Sequence, residues 1–388
     1  MRKRIVLNIL LVIVFLIFID SFWLILIVLL FIGIYFGVLK LISFVKKRFL
    51  RQVIRSLFLS LFVLSIAICV KLFTIDIFRI PSSSMENTLF PNDVIFVNKL
   101  IYGPRLPNSP FEIPWLNLAF YASNDARKRI KETWWDYKRL SGTSTIKQGD
   151  VFVFNLGTTR DFFVVKRCMG LAGDTLKIKD AEVYTNSELF ISPGTIKNNY
   201  KFIVKNRANI YNAIDSLGFK ITLNQNRKNK FKNKSLSKLE FLRLKQLNGI
   251  DSLQKQIDTF NVKKKFFPKF PKSKWTLDNM GLIIVPKKGM KIVLDFQTYF
   301  LYKKIINKFE NTSITYKEGS CYLNNKKATT YTFSRDYYFM MGDNRKDSHD
   351  SRYFGFLPES NIIGKVQCVL FSNYQDRFRW DRLLKSID

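Results

Sequence analysis

Three apolar runs fill the first 73 positions of this 388-residue chain, and they constrain its fold more than anything after them. Ile5–Ile19 is interrupted only by Asn8 and is followed by Asp20-Ser21. Phe22–Leu39 is apolar again, and Leu57–Phe73 carries one charge, Lys71, close enough to its end for the stem to snorkel. A helix needs roughly 20 residues to cross the hydrocarbon layer. The second and third runs meet that length; the first is short, and Asp20-Ser21 is a weak place for a hairpin. Three spans are expected, with two as the alternative. A cleaved leader is disfavoured, because no small-x-small site follows the first run.

Lys46, Lys47, Arg48, Arg51 and Arg55 lie between the second and third runs, and Arg2, Lys3 and Arg4 open the chain. Cytoplasmic loops hold the excess of Lys and Arg. Both segments are therefore assigned to the cytoplasm, and the third span runs outward. Everything after Phe73 is expected outside the membrane, giving an anchor at 1–74 and an exterior part at 75–388.

The formal charge is +33. Such a balance suits nucleic acid or anionic lipid. Phe, Lys, Asn and Ile are abundant together, however, as AT-rich coding would produce. The basic residues near 185–275 are scattered among Asn and Ser without a recognised binding motif, so no nucleic-acid partner is expected. Cys69, Cys168, Cys321 and Cys368 form no CxxC, and His349 is the sole histidine. Neither a multi-histidine metal site nor a dense disulfide framework can be built from these. No metal and no cofactor is expected.

The exterior part reads as mainly β. Strands are expected at Asp93–Val97, Val151–Asn155, Phe162–Arg167, Thr175–Ile178, Lys291–Val293, Tyr337–Met341 and Ile363–Leu370, bounded by turn residues such as Gly149-Asp150 and Gly173-Asp174. Within 185–275, Ser237-x-x-Glu240 reads as a capping box, with a stop at Asn248-Gly249. Leu236, Leu239, Leu242 and Leu247 are assigned to one apolar face. In the Pro-rich stretch Tyr102–Leu118, Phe111, Ile113, Trp115 and Leu116 could dip into the membrane interface or pack into the core.

The chemistry concentrates in Ile80-Pro81-Ser82-Ser83-Ser84-Met85, whose Ser84 lies eleven positions beyond the last span. A serine hydroxyl needs a base to become a nucleophile. His349 sits in a polar loop, where a lone histidine is more often a surface residue. A lysine can serve if it is neutral. Half-deprotonation at pH 7 requires its pKa to fall by roughly 3 units, about 4 kcal/mol, which burial can supply. Lys166 follows Phe162-Phe163-Val164-Val165, an apolar strand, and strand alternation turns Arg167 to the opposite face.

These residues resemble the bacterial type I signal peptidases over most of 56–388. The resemblance is carried by Ile80–Met85 with Thr88-Leu89, by Lys166-Arg167 with Gly170-Leu171-Ala172-Gly173-Asp174, and by Gly342-Asp343-Asn344-Arg345, Ser348, Asp350–Tyr353 and Gly355–Pro358. It implies a membrane-bound serine endopeptidase that cleaves signal peptides from exported preproteins after small residues at −1 and −3. It further implies Ser84 as nucleophile, Lys166 as general base, Ser82 and the Ser84 N–H as oxyanion donors, and Ser348 as the group that orients the lysine. Phe78, Ile80, Leu89 and Val165 fall on its substrate-pocket positions. Asp343, Arg345, Asp350 and Arg352 fall on its structural ion-pair positions. The implied fold is a β-rich catalytic core from about 75–103, 147–176 and 330–388, with an inserted β-rich cap containing some helix at about 177–329. The implied enzyme is a multi-pass protein of the bacterial cytoplasmic membrane, acts on its exterior side and is a monomer. Two departures stand out: Asn87 replaces the proline usual before Thr-Leu, and Ala172 the proline of the Gly-Leu-Pro-Gly-Asp turn. Two other readings compete, a soluble self-cleaving Ser/Lys protease of the SOS-repressor kind and a membrane-tethered binder of polyanions.

Overall fold

The computed structural model describes residues 22–115, 129, 133–156, 162–204, 231–247, 250–258, 266–268 and 275–387. The first apolar run and the stop at Asn248-Gly249 lie outside them, as does Leu116. The second and third runs form helices Phe22–Ser43 and Arg48–Phe73, joined by a short turn. Both are long and apolar enough to cross a membrane. They pair antiparallel, with Phe31 against Phe62 at 5.6 Å and Trp23 against Phe73 at 6.0 Å between ring centroids. The basic turn at 44–47 therefore sits at one end of the hairpin. At the other end Phe73 passes through Thr74 into the first strand, Ile75–Arg79, and Trp23 donates its indole N–H to the Ser141 carbonyl at 3.0 Å.

The rest is mainly β, as expected. The principal sheet is antiparallel and runs in the order Ile75–Arg79, Asp93–Asn98, Ile362–Tyr374, Val151–Asn155, Phe163–Gly170, Tyr337–Met341, Leu357–Pro358. Strands Val151–Asn155, Lys291–Val293 and Tyr337–Met341 coincide with their sequence-based bounds. Ile362–Tyr374 is longer than expected; its start pairs with Val151–Asn155 and the stretch beyond with Asp93–Asn98, with register shifts along the way. Short C-terminal strands, Arg377–Phe378 and Lys385–Ser386, fold back onto it.

Described residues of 177–329 share a core with the principal sheet region. The strand Met280–Ile284 pairs with Thr175–Lys179, and Leu294, Tyr302, Ile305 and Ile306 share one cluster with Met169, Tyr337, Phe339 and Phe356 of the principal sheet region. The helix Phe296–Phe309 supplies three of these. It starts in a capping box of Asp295 and Thr298, and its buried positions 302, 305 and 306 fall on one face. A separate three-stranded sheet, Ile250–Lys255, Lys197–Val204 and Phe231–Ser237, carries the expected capping box at the start of helix Lys238–Lys245. The apolar face assigned there differs. Leu239 and Leu242 are about half exposed, while Leu244 is fully buried. Leu236 belongs to the strand before the cap, so helical periodicity does not extend back to it.

Phe111 is buried and packs edge-on against Trp134, whereas Trp115 is exposed. The Pro-rich stretch thus puts one aromatic in the interior and another outside.

Candidate active site

The turn carrying Ser84 hangs between strands Ile75–Arg79 and Asp93–Asn98. Its apolar side chains fix it from beneath. Ile80, Met85 and Leu89 are buried in one cluster with Ile95, Val97, Val151, Val153, Val366 and Val369. The backbone is closed by Leu89 N–H to the Met85 carbonyl at 2.7 Å and Ile80 N–H to the Asp93 carbonyl at 2.8 Å. From the other side, Asn344 donates its N–H to the Ser84 carbonyl at 3.0 Å and its Nδ2 to the Ser83 carbonyl at 3.1 Å. Ser83 Oγ donates to the Asp347 carboxylate.

Lys166 comes from the strand Phe163–Gly170, and its Nζ donates to Ser84 Oγ at 2.6 Å. The lysine is only 3% exposed. No described carboxylate forms an ion pair with it, so desolvation dominates and pulls its pKa down from the ordinary lysine value to about 8. Asp350 and Asp343 at longer range oppose that fall. Roughly a tenth of such an amine is neutral at pH 7.

Arg167 turns to the opposite face and meets Asp343, its Nε at 3.0 Å from Oδ1 and its Nη2 at 2.9 Å from Oδ2. Thr88 Oγ1 donates to the same carboxylate at 2.5 Å. The serine turn, the lysine strand and the 342–345 loop are therefore joined at one buried carboxylate. Arg352 pairs with Asp350 at 2.8 Å, and Asp350 also accepts from the Gly342 N–H at 3.0 Å. Burial alone would raise the Asp350 carboxyl; the Arg352 charge and these bonds hold it below its ordinary value.

Three assignments need correction. Arg345 makes no ion pair among the described residues. Its guanidinium is buried, one nitrogen reaches the Ala181 carbonyl at 3.4 Å, and burial with the neighbouring Arg352 charge pulls it down to about 10. Arg167 pairs with Asp343 instead, a partnership that strand alternation hinted at once both faces of the lysine strand were known to be buried. Leu89 does not line the cleft beside Ser84 but lies wholly buried beneath it, while Phe78, Ile80 and Val165 do line it. Ser348 reaches the cleft, yet its hydroxyl makes no bond to Lys166 and interacts with the Asp350 carboxylate instead. His349 is exposed and stacks on Tyr353, ring centroids 4.8 Å apart.

The cleft holds about 600 Å³. Phe78, Ile80, Val153 and Val165 make one apolar wall, with Phe78 edge-on to Phe163 at 5.0 Å. Ser82 Oγ stands 3.4 Å from Ser84 Oγ at its mouth. Gly342 is required by closeness of approach: a Cβ there would lie 2.2 Å from Ser348 Oγ and 2.6 Å from the Ser84 carbonyl oxygen. Gly342→Ala is expected to push the Ser84 turn off Lys166, lowering kcat about 10²-fold and stability by about 1–3 kcal/mol. Kinetics and thermal unfolding of one preparation check both.

A buried, uncharged-capable lysine on a serine in an apolar-walled cleft is the equipment of a serine peptidase. The model of the family described as "Signal peptidase, peptidase S26" matches residues 51–240 and 293–371, well over half of the chain and all of the residues named for the site. The chain belongs to this family. It is a serine peptidase, and the family's activity is the cleavage of signal peptides. A signal peptidase I of Buchnera aphidicola subsp. Baizongia pistaciae is 26% identical over 339 residues, covering 85% of this chain and 80% of that protein. One from Helicobacter pylori strain J99 is 25% identical over 341 residues, covering 83% and 89%. Another, from Pseudomonas aeruginosa, reaches 30% identity over 141 residues, 34% of this chain and 40% of its own.

Proposed function

We propose that this chain is a membrane-anchored signal peptidase in which Ser84 and Lys166 form the catalytic dyad. The observation that carries the reading is the 2.6 Å contact between Lys166 Nζ and Ser84 Oγ, made by a lysine whose pKa burial has lowered to about 8. With the amine neutral, the same contact runs from the serine hydroxyl to the nitrogen lone pair. Ser84 Oγ attacks the carbonyl carbon of the −1 residue while Lys166 takes its proton. The Ser84 N–H and Ser82 hydroxyl face the developing oxyanion. Lys166 then returns the proton to the departing amine of the mature protein, leaving an acyl-enzyme. Water attacks that ester with Lys166 again as base, releasing the signal peptide. The chemistry uses no metal and no cofactor.

The wall of Phe78, Ile80 and Val165, close to Ser84, favours small side chains at −1 and −3. Incubation of the purified protein with a preprotein bearing an Ala-x-Ala site, followed by mass analysis, tests this: one cut after the second alanine supports it, and an intact preprotein opposes it. The polyanion-binder reading makes cleavage indifferent to Ser84 and Lys166, and the self-cleaving reading has no use for two helices long enough to cross a membrane.

The hairpin supports one orientation. The basic turn with Lys46 and Lys47 lies at the end opposite the β region, so a cytoplasmic turn leaves Ser84 on the exterior side of a bacterial cytoplasmic membrane. A reporter active only outside the cytoplasm is expected to be active when fused after Phe78 and silent at Lys47. The reverse pattern would put the cleft out of reach of exported substrates. The enzyme is proposed to act as a monomer on preproteins in the bilayer.

A further inference from the structure

Asn87 stands where the family's motif carries proline, and its φ is 75°. A proline ring holds φ near −65°, so this backbone excludes the family's residue. Asparagine is one of the few side chains that enter the left-handed region readily. Its Nδ2 donates to Glu240 Oε2 at 3.2 Å. The same oxygen accepts from the Ser237 N–H at 2.6 Å, within the capping box of helix Lys238–Lys245. One carboxylate oxygen thus serves both the inserted helix and the serine turn.

Other contacts from the same segment reach both loops of the site. Lys197 Nζ pairs with Glu86 at 2.6 Å, two residues beyond Ser84. The Lys197 N–H donates to the Asp343 carbonyl at 2.8 Å, and the Arg345 N–H donates to the Lys197 carbonyl at 3.0 Å. Thr195 Oγ1 lies 2.9 Å from Thr88 Oγ1, and Ser235 donates to Asn344 Oδ1 at 3.1 Å. Asn344 is the residue that holds the carbonyls of Ser83 and Ser84. None of these inserted residues lines the cleft.

We propose that residues 195–204 and 231–245 form a brace that sets the Ser84–Lys166 distance, with Lys197 and Glu240 as positioning residues. The inference rests on the dyad reading above. Because the brace touches the turn but not the cleft, its loss lowers kcat and leaves KM alone.

The test uses the full-length enzyme in detergent with an Ala-x-Ala preprotein. Lys197→Met is expected to lower kcat about 10²-fold with KM unchanged, and the charge swap Glu86→Lys with Lys197→Glu to recover most of it. Asn87→Gly keeps the backbone and loses the Glu240 bond, for a fall of about 10-fold. Ser237→Ala, which weakens the helix cap but leaves Asn87 bonded, is expected to keep the original kcat. Folded Lys197→Met enzyme with unaltered kcat overturns the brace, as does a folded swap that recovers nothing. Should Lys197→Met not fold, an unaltered kcat in Asn87→Gly overturns it equally. Ser84→Ala is assayed alongside. Activity there removes the dyad, whereas an inert Ser84→Ala beside fully active brace variants removes the brace alone.

Discussion

Ser84→Ala is expected to leave a folded protein that no longer processes preprotein, with kcat reduced about 10⁶-fold, the scale seen when the nucleophile of a serine peptidase is removed. The side chain is partly exposed at the cleft mouth, and only its oxygen is lost. The core cluster of Ile80, Met85 and Leu89 beneath the turn, and the Asn344 bond to its carbonyl, do not depend on that oxygen. The unfolding midpoint is therefore expected to stay where it was, and mass analysis of the preprotein to find a single intact species. Turnover within tenfold of the unmodified enzyme would remove Ser84 from the mechanism. Ser82→Ala is expected to be milder, about 10²–10³-fold in kcat, because one oxyanion donor goes and the Ser84 N–H remains. An unchanged kcat there would mean that Ser82 is not a donor.

Lys166→Ala is expected to be as inactive as Ser84→Ala, since the two act as one unit and their losses do not add. No other described amine contacts the Ser84 hydroxyl. Lys166→Arg is the more informative replacement. Guanidinium stays protonated across the accessible range and cannot take the serine proton, so retained charge and approximate size rescue nothing. It also places a permanent charge where burial disfavours one, and a lower unfolding midpoint is expected beside the lost activity. An active arginine enzyme would show that position 166 supplies charge rather than a base.

Much of the site was legible because its parts obey local rules. The apolar run before Lys166 announced a strand, although Phe162 and Phe163 stay exposed along the cleft and full burial begins only at Lys166. Strand alternation set Lys166 and Arg167 on opposite faces. The three motifs specified which loops would meet. What was not legible lies in partnerships between residues far apart in the chain. The resemblance put Asp343 and Arg345 on ion-pair positions, and only the fold decides that Arg167, beside the lysine, pairs with Asp343. The resemblance put Leu89 on a pocket position, yet the turn closes at the Leu89 N–H and its side chain is buried in the core beneath. Leu239 and Leu242 were grouped with Leu236 as if one helix ran through all three. The cap at Ser237 breaks that period, and Leu244 takes the buried place. The contacts of Lys197 and Glu240 with the serine turn could not be read at all, because polar side chains in a Lys- and Asn-rich segment look alike until one of them is buried.

The central claim is that a neutral lysine, and not a histidine, activates Ser84. The measurement that tests it most directly is the pH dependence of kcat/KM for the unmodified enzyme and for His349→Ala. A group that must be deprotonated to act leaves an acidic limb at its own pKa. Burial has lowered Lys166 to about 8, so activity is expected to rise with pH through a limb near that value, and both enzymes are expected to trace the same curve. A limb near 6.5, the ordinary histidine value, that vanishes together with activity in a folded His349→Ala enzyme would contradict the account and pass the role of base to His349.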